Sequence, residues 1–214
     1  MINRIVLLTG ILFLSIWTSA QERPFQLWNL NSVRVGLSDK SSIRVSEKIQ
    51  YRTDTGNIGL KYGDVSCFYV VNHWFETGVG GRLLWFEKPD GWLEERRAMF
   101  YGNIRGSVRK VNLHLSNRIS YRHFKEADDH FRHWHAFTIE VPPVANEWLK
   151  LYVSEEGFTL FSKEALYLAR IYAGAKIRYN NHLSMKLYYA QDKKKLQSRW
   201  SNSDVLGVDL AFSL

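Results

Sequence analysis

Between Val111 and Arg122 the sequence alternates. Val111, Leu113, Leu115, Ile119 and Tyr121 fall on one side, and Asn112, His114, Ser116, Arg118, Ser120 and Arg122 on the other. A period of two marks a strand whose two faces meet different surroundings. The pattern returns in Ser42–Arg52, where Ile43, Val45, Ile49 and Tyr51 oppose Arg44, Ser46, Lys48, Gln50 and Arg52, with Glu47 interrupting the apolar row. In Ala165–Tyr179 the row Tyr167, Ala169, Ile171, Ala173, Ala175, Ile177 and Tyr179 faces away from Arg170, Tyr172, Lys176 and Arg178. Gly207–Leu214 sets Val208, Leu210, Phe212 and Leu214 on one face. Segments 25–37, 59–71, 74–87, 94–108, 132–141, 148–158 and 183–191 read the same way, and no helix-period run follows residue 24.

Two architectures use such strands. A soluble sandwich or ligand-binding barrel turns its apolar rows inward, whereas a membrane barrel turns them outward around a polar lumen. Soluble strands usually run about 5–6 residues, and segments such as 165–179 are far longer, long enough for a tilted bilayer crossing. Arg44, Lys48, Arg105 and Arg118 lie mid-strand, where an apolar core would reject them. Aromatics gather near strand ends (Trp74, Trp85, Phe86, Trp92, Phe124, Phe131, Trp148, Phe158, Phe161, Tyr179, Trp200), as in interfacial girdles. Turn-like connections at Ser38–Ser41, Asn72–His73, Ser107–Lys110 and Asn180–His182 alternate with longer charged ones at Thr53–Asn57, Lys88–Leu93, Lys125–Phe131 and Asp192–Ser203. The expectation is an all-β, antiparallel, up-and-down transmembrane barrel of 10–12 strands with short periplasmic turns and longer extracellular loops. An open sheet would leave an unpaired edge in hydrocarbon, so the chain must close. Even strand numbers are the rule in bacterial single-chain barrels, so one of the eleven segments is expected to be split or merged, with 25–37 (broken by Asn29 and Asn31) and 132–158 (broken by Pro142-Pro143) the weakest.

Residues 1–20 have the parts of an export signal: Arg4, the apolar run Ile5–Trp17, and the small-residue boundary Thr18-Ser19-Ala20 before Gln21. The expected domains are a cleaved signal peptide, 1–20, and one barrel, 21–214, destined for the cell outer membrane. The chain carries 29 Lys and Arg against 21 Asp and Glu, a net charge of +8. Export argues against nucleic acid as the reason, leaving a basic lumen or anionic headgroups. Mean hydropathy of −0.29 excludes a bundle of spanning helices. The single cysteine, Cys67, excludes an internal disulfide and reads as a small buried or lipid-facing residue.

With these features in hand, the chain resembles the uncharacterised Gram-negative outer-membrane barrel family called domain of unknown function 2490. The resemblance rests on Phe25–Asn29, Glu47–Arg52, Gly78–Arg82, Leu115–Tyr121, Leu151–Phe158 and Gly207–Phe212. It implies a membrane barrel and no assigned activity. Many outer-membrane proteins end in an aromatic residue, whereas here Leu214 is last and Phe212 stands two earlier.

The polar rows supply the candidate site. Arg44, Lys48, Arg52, Arg82, Arg105, Arg118, Arg122, Lys176, Arg178 and Lys186 are expected to face the lumen with Glu76, Glu140, Glu156 and Asp209. Such a lumen is either a narrow pore or groove favouring anions, or is closed by interlocked ion pairs. His123, His130, His133 and His135 cluster, and His133 and His135 share a strand face, but no carboxylate or cysteine stands at metal-ligand spacing. No cofactor or metal is assigned. Ser154 and Glu155-Glu156 with a histidine suggest a hydrolase constellation, against which stands the absence of Gly-x-Ser-x-Gly. Lys193-Lys194-Lys195 with Arg199 could meet lipopolysaccharide phosphates. The resulting expectation is a monomeric outer-membrane structural or binding barrel, or a narrow pore, and not an enzyme. Its expected partners are membrane lipid, lipopolysaccharide and the outer-membrane assembly machinery. The alternatives are an outer-membrane enzyme acting on lipid or lipopolysaccharide, and a soluble periplasmic ligand-binding barrel.

Overall fold

A computed structural model describes residues 23–125, 127–143, 148–162, 165–196 and 199–214; the expected signal peptide, 1–20, lies outside these. Eleven strands follow in order: β1 (Phe25–Gly36), β2 (Ser41–Arg52), β3 (Asn57–Val70), β4 (Phe75–Lys88), β5 (Gly91–Val108), β6 (Val111–Phe124), β7 (His130–Glu140), β8 (Leu149–Leu160), β9 (Ala165–Arg178), β10 (Leu183–Leu196) and β11 (Arg199–Ser213). Each pairs antiparallel with its chain neighbour, and β1 meets β11 to close the barrel. All eleven alternating segments are strands, and none is split or merged. Closure with an odd number makes the β1–β11 seam parallel, with Phe25 beside Asp204 and Arg34 beside Ser213. One mouth therefore holds the starts of β1, β3, β5, β7, β9 and β11 and the ends of β2, β4, β6, β8 and β10. The other holds the end of β11, the connections 37–40, 71–74, 109–110 and 179–182, the end of β7 and the start of β8.

Strand pairing runs further into the charged segments than the alternation indicates. Lys193–Leu196 pairs with Arg199–Asn202, and Glu87-Lys88 pairs with Gly91-Trp92. Their outward residues include Trp92 and Trp200, so these extensions carry the wall into the aromatic rim at that end.

The alternation settles which face is inside. On β6, Arg118, Ser120 and Arg122 are buried, while Ile119 and Tyr121 are exposed. Across the wall Val45, Val65, Val79, Phe100 and Ile171 are each more than half exposed. An apolar belt of this extent is stable only against another apolar phase, so the soluble-barrel alternative falls. Cys67 belongs to this outward face. Trp92, Phe131, Phe161 and Trp200 stand outside near the first mouth, and Trp74, Trp148 and Tyr179 near the second, as two aromatic rims. Phe86, Phe124 and Phe158, expected in these rims, instead line the interior. Their places in the strands carry the parity of neighbouring inward residues.

The polar interruptions of β1 and β2 prove to be partners. Asn31 lies directly opposite Glu47, and its amide donates to Glu47 and to Asn29. A second correction concerns Tyr167. A bulge pairs Phe158 with Leu168 but Thr159 with Leu166, so Tyr167 has no partner and its parity reverses. Its ring turns into the lumen, where its hydroxyl accepts a hydrogen bond from Arg132.

Candidate functional site: the basic lumen

The inward rows enclose a cavity of about 850 Å³ lined by twelve Lys and Arg against five Asp and Glu. Burying that many like charges is costly unless each is paired or stacked, and the lumen is organised around the two solutions.

Pairing dominates on β3 to β6. Glu95, fully buried, accepts from Nε and Nη2 of both Arg97 and Arg122, two bidentate forks on one carboxylate. Asp64 accepts from Arg82 Nε and Nη2 at 3.1 and 2.6 Å and from the Ser46 hydroxyl. Arg82 also stacks 3.8 Å over Tyr62. On the other side Glu156 accepts from the Tyr172 hydroxyl and from Arg170, which also donates to Asp192. Toward the mouths the ties reach across the interior between non-adjacent strands: Arg34 to Glu76, Arg52 to Glu87 and Lys176 to Glu140.

Around Trp28 packing takes over. Tyr152, Tyr172, Tyr188, Ala190 and Val205 form a buried cluster with it. The Tyr188 ring lies across Gly207, where a Cβ would collide with it, so glycine there makes the cluster possible. Lys48 sits 3.9 Å over the Trp28 ring and Lys186 5.4 Å over Tyr152. Asp209 lines the same part of the cavity.

Arg44 and Arg118 are different. Neither has a carboxylate within ion-pair distance among the described residues. Both guanidiniums face the Tyr101 ring, at 5.9 and 6.0 Å, with Arg44 also over Phe68 and Arg118 over Trp134. The Nε of each is buried without a hydrogen-bond partner in the protein. Two stacked, unneutralised guanidiniums on one cavity wall form a site for negative charge.

Of the expected lumen residues, Arg44, Lys48, Arg82, Arg118, Arg122, Glu156 and Asp209 line this cavity, as do Arg52 and Lys186. Arg105 and Arg178 share the inward parity but lie exposed at the second mouth, past the enclosed part of the lumen; Arg178 borders a small pocket of about 210 Å³ there. Glu95, Arg97, Asp64 and Arg132 were not singled out from the sequence, although Glu95 and Arg97 stand at even spacing from Arg105. The hydrolase constellation does not assemble. Ser154 points inward, bonded to Thr138, and Glu156 is held by Tyr172 and Arg170, whereas His135 lies on the outer face beside Glu155. Among the described residues no three His, Cys, Asp or Glu are placed to share a metal ion.

A closed up-and-down barrel with an apolar outside and a charged inside is the architecture of outer-membrane barrel proteins. The chain belongs to the family described as protein of unknown function DUF2490, whose model matches residues 25–203. Among solved structures the fold is similar to that of LpxR from Salmonella typhimurium, with a TM-score of 0.50 and 8% identity over 81% of this chain and 83% of that one. No curated protein sequence matches the chain. LpxR is an outer-membrane lipid A deacylase. That finding corrects the expectation that this chain is not an enzyme: barrels of this fold include a catalyst.

Proposed function

We propose that the protein is an outer-membrane barrel whose lumen takes up a small anion at Arg44 and Arg118. One observation carries this reading: two guanidiniums with buried Nε atoms share an aromatic wall of a cavity rich in cations, without a carboxylate to neutralise either. Arg82, Arg97, Arg122 and Arg170 in the same interior are matched by acids, and Arg132, which also lacks one, donates to the Tyr167 hydroxyl and lies over Phe158; Arg44 and Arg118 are the two that face one shared ring. An oxyanion accepting from both would gain charge-assisted bonds in a place shielded from salt. In this reading residues 1–20 are removed on export, and lipid and lipopolysaccharide surround the outer girdle.

Inorganic pyrophosphate titrated calorimetrically into the detergent-purified protein tests the site. Binding should weaken about tenfold or more in Arg118→Gln, consistent with loss of a charged hydrogen bond. Undiminished binding in an Arg44→Gln/Arg118→Gln double variant, or none to the wild type, would overturn the reading. Sarkosyl fractionation and heat-modifiable gel mobility test the location; solubility without detergent would sink it.

A further inference from the structure

Two polar patches interrupt the outer apolar girdle, on opposite sides of the barrel. On β1 and β2, Asn29, Asn31 and Glu47 point away from the lumen, among Val33, Val45 and Ile49. Asn31 donates to Glu47 Oε1 at 3.0 Å and to Asn29 Oδ1 at 2.8 Å, which leaves the Asn29 amide NH2 to donate outward. In register Glu47 stands between Asn31 and Gly63, so among the described residues no cation flanks its carboxylate and no side chain screens it on the β3 side. On β6 to β8, Asn117, His133, His135 and Glu155 face outward among Leu115, Ile119, Phe137 and Val153. His133 Nε2 donates to Asn117 Oδ1 at 3.2 Å, and His135 Nε2 lies 3.4 Å from Glu155 Oε2. The first patch therefore holds a carboxylate without a base, and the second holds two imidazoles with one carboxylate. Ionisable groups that face hydrocarbon are costly unless a partner meets them.

Depth and position match the two patches to each other. Glu47 is four residues from outward Tyr51 on β2, and Asn117 is four residues from outward Tyr121 on β6. Both tyrosines lie toward the first mouth, where Tyr121 stacks on Phe131 of the rim at 5.2 Å. Four residues make about 13 Å along a strand and roughly 10 Å of depth in a tilted wall, so both patches sit near the middle of an apolar band about 25 Å tall. Around the barrel, β2 and β7 are five strands apart one way and six the other. Each patch is two or three strands wide, a width over which two convex walls can touch.

We propose that these patches join copies of this protein head to tail within the membrane, the Glu47 patch of one barrel seated on the His133–His135 patch of the next, in place of the lone barrel expected from the sequence. At the contact the Asn117 amide donates to Glu47 and the Asn29 amide donates to Glu155. Two carboxylates then face two imidazoles, so acid and base balance where neither patch balances alone. Like-with-like contacts do not achieve this: two Glu47 patches would set negative charges together, and two histidine patches would leave every Glu47 in lipid. Because the contact is heterologous and its halves stand on opposite sides of the wall, successive copies extend in open, nearly straight rows and do not close into small rings. This inference shares with the lumen reading only the placement in a bilayer.

The test is the association state of the full-length protein, read by analytical ultracentrifugation in non-ionic detergent over a range of protein concentrations and by electron microscopy of diacyl phospholipid vesicles. The wild type should grow past the dimer as concentration rises and form rows in the vesicles. Glu47→Leu and the double variant His133→Leu/His135→Leu should each be monomeric while keeping the heat-modifiable gel mobility of a folded barrel. Mixed in equal amounts, these two variants should form a dimer and nothing larger, because each keeps one intact patch. Val79→Leu, on the outer wall between the patches, should associate like the wild type. A wild type that stays monomeric or stops at a dimer, association undiminished in either patch variant, or no dimer from the mixture overturns the proposal. Pyrophosphate binding in each lumen would be the same in all of these proteins.

Discussion

Two groups of arginine share one interior and are treated in opposite ways. Arg97 and Arg122 are locked onto Glu95, with every fork nitrogen they aim at it accepted by a single carboxylate. Arg44 and Arg118 rest on aromatic rings with no acid at hand. The first group closes the barrel from within. The second leaves positive charge exposed to the cavity, which adds nothing to closure and is useful only to a ligand. The contrast separates cations that hold the wall together from cations that define a site.

The largest expected effect breaks the paired group. Glu95→Ala leaves two buried guanidiniums facing each other, and loss of one partner of a buried ion pair costs about 3–5 kcal/mol. Urea unfolding of the lipid-reconstituted protein should show this, while Arg118→Gln should leave the midpoint nearly unchanged. Equal destabilisation by both would erase the distinction. Next comes the contrast between the two faces of a single strand. Ile119→Arg puts a charge on the outer girdle beside inward-facing Arg118, and should cost about 2–4 kcal/mol at mid-bilayer depth by the same assay. Tolerance of this change would mean that the exterior is wet. The smallest effect lies outside the wall. Asp129 accepts from His123, Tyr121 and the Phe124 amide, and these bonds, His123 foremost, hold its carboxyl down at about 2. Because its value is depressed, its tether is complete above the ordinary carboxylate range and lost as pH falls toward 2. Histidine NMR should show His123 ordered down to that range in the wild type and loosened at every pH in Asp129→Ala, with little change in overall stability.

Much of this was legible from period two alone. Alternation located all eleven strands and put Arg118 and Arg122 on the side opposite Ile119, because in a closed wall parity is destiny for each side chain. It failed where parity itself changes: the bulge at Phe158/Thr159 reverses Tyr167 without any mark in composition. Nor could it tell Arg122 from Arg118. Which arginine meets an acid depends on registers summed around the barrel and on ties across its interior, such as Arg34 to Glu76, and these exist only after closure. The outward His135–Glu155 pair was hidden for a related reason. The acidic doublet offered two neighbours of opposite parity, and the one that meets the histidine is Glu155, not Glu156.

The parallel seam has a topological consequence. An even-numbered barrel returns its last strand to the side from which its first departed, but here Phe25 and Ser213 lie at opposite openings. In a bilayer, epitopes fused ahead of Phe25 and behind Leu214 would face different compartments. A protease added to intact cells would then remove one tag and spare the other.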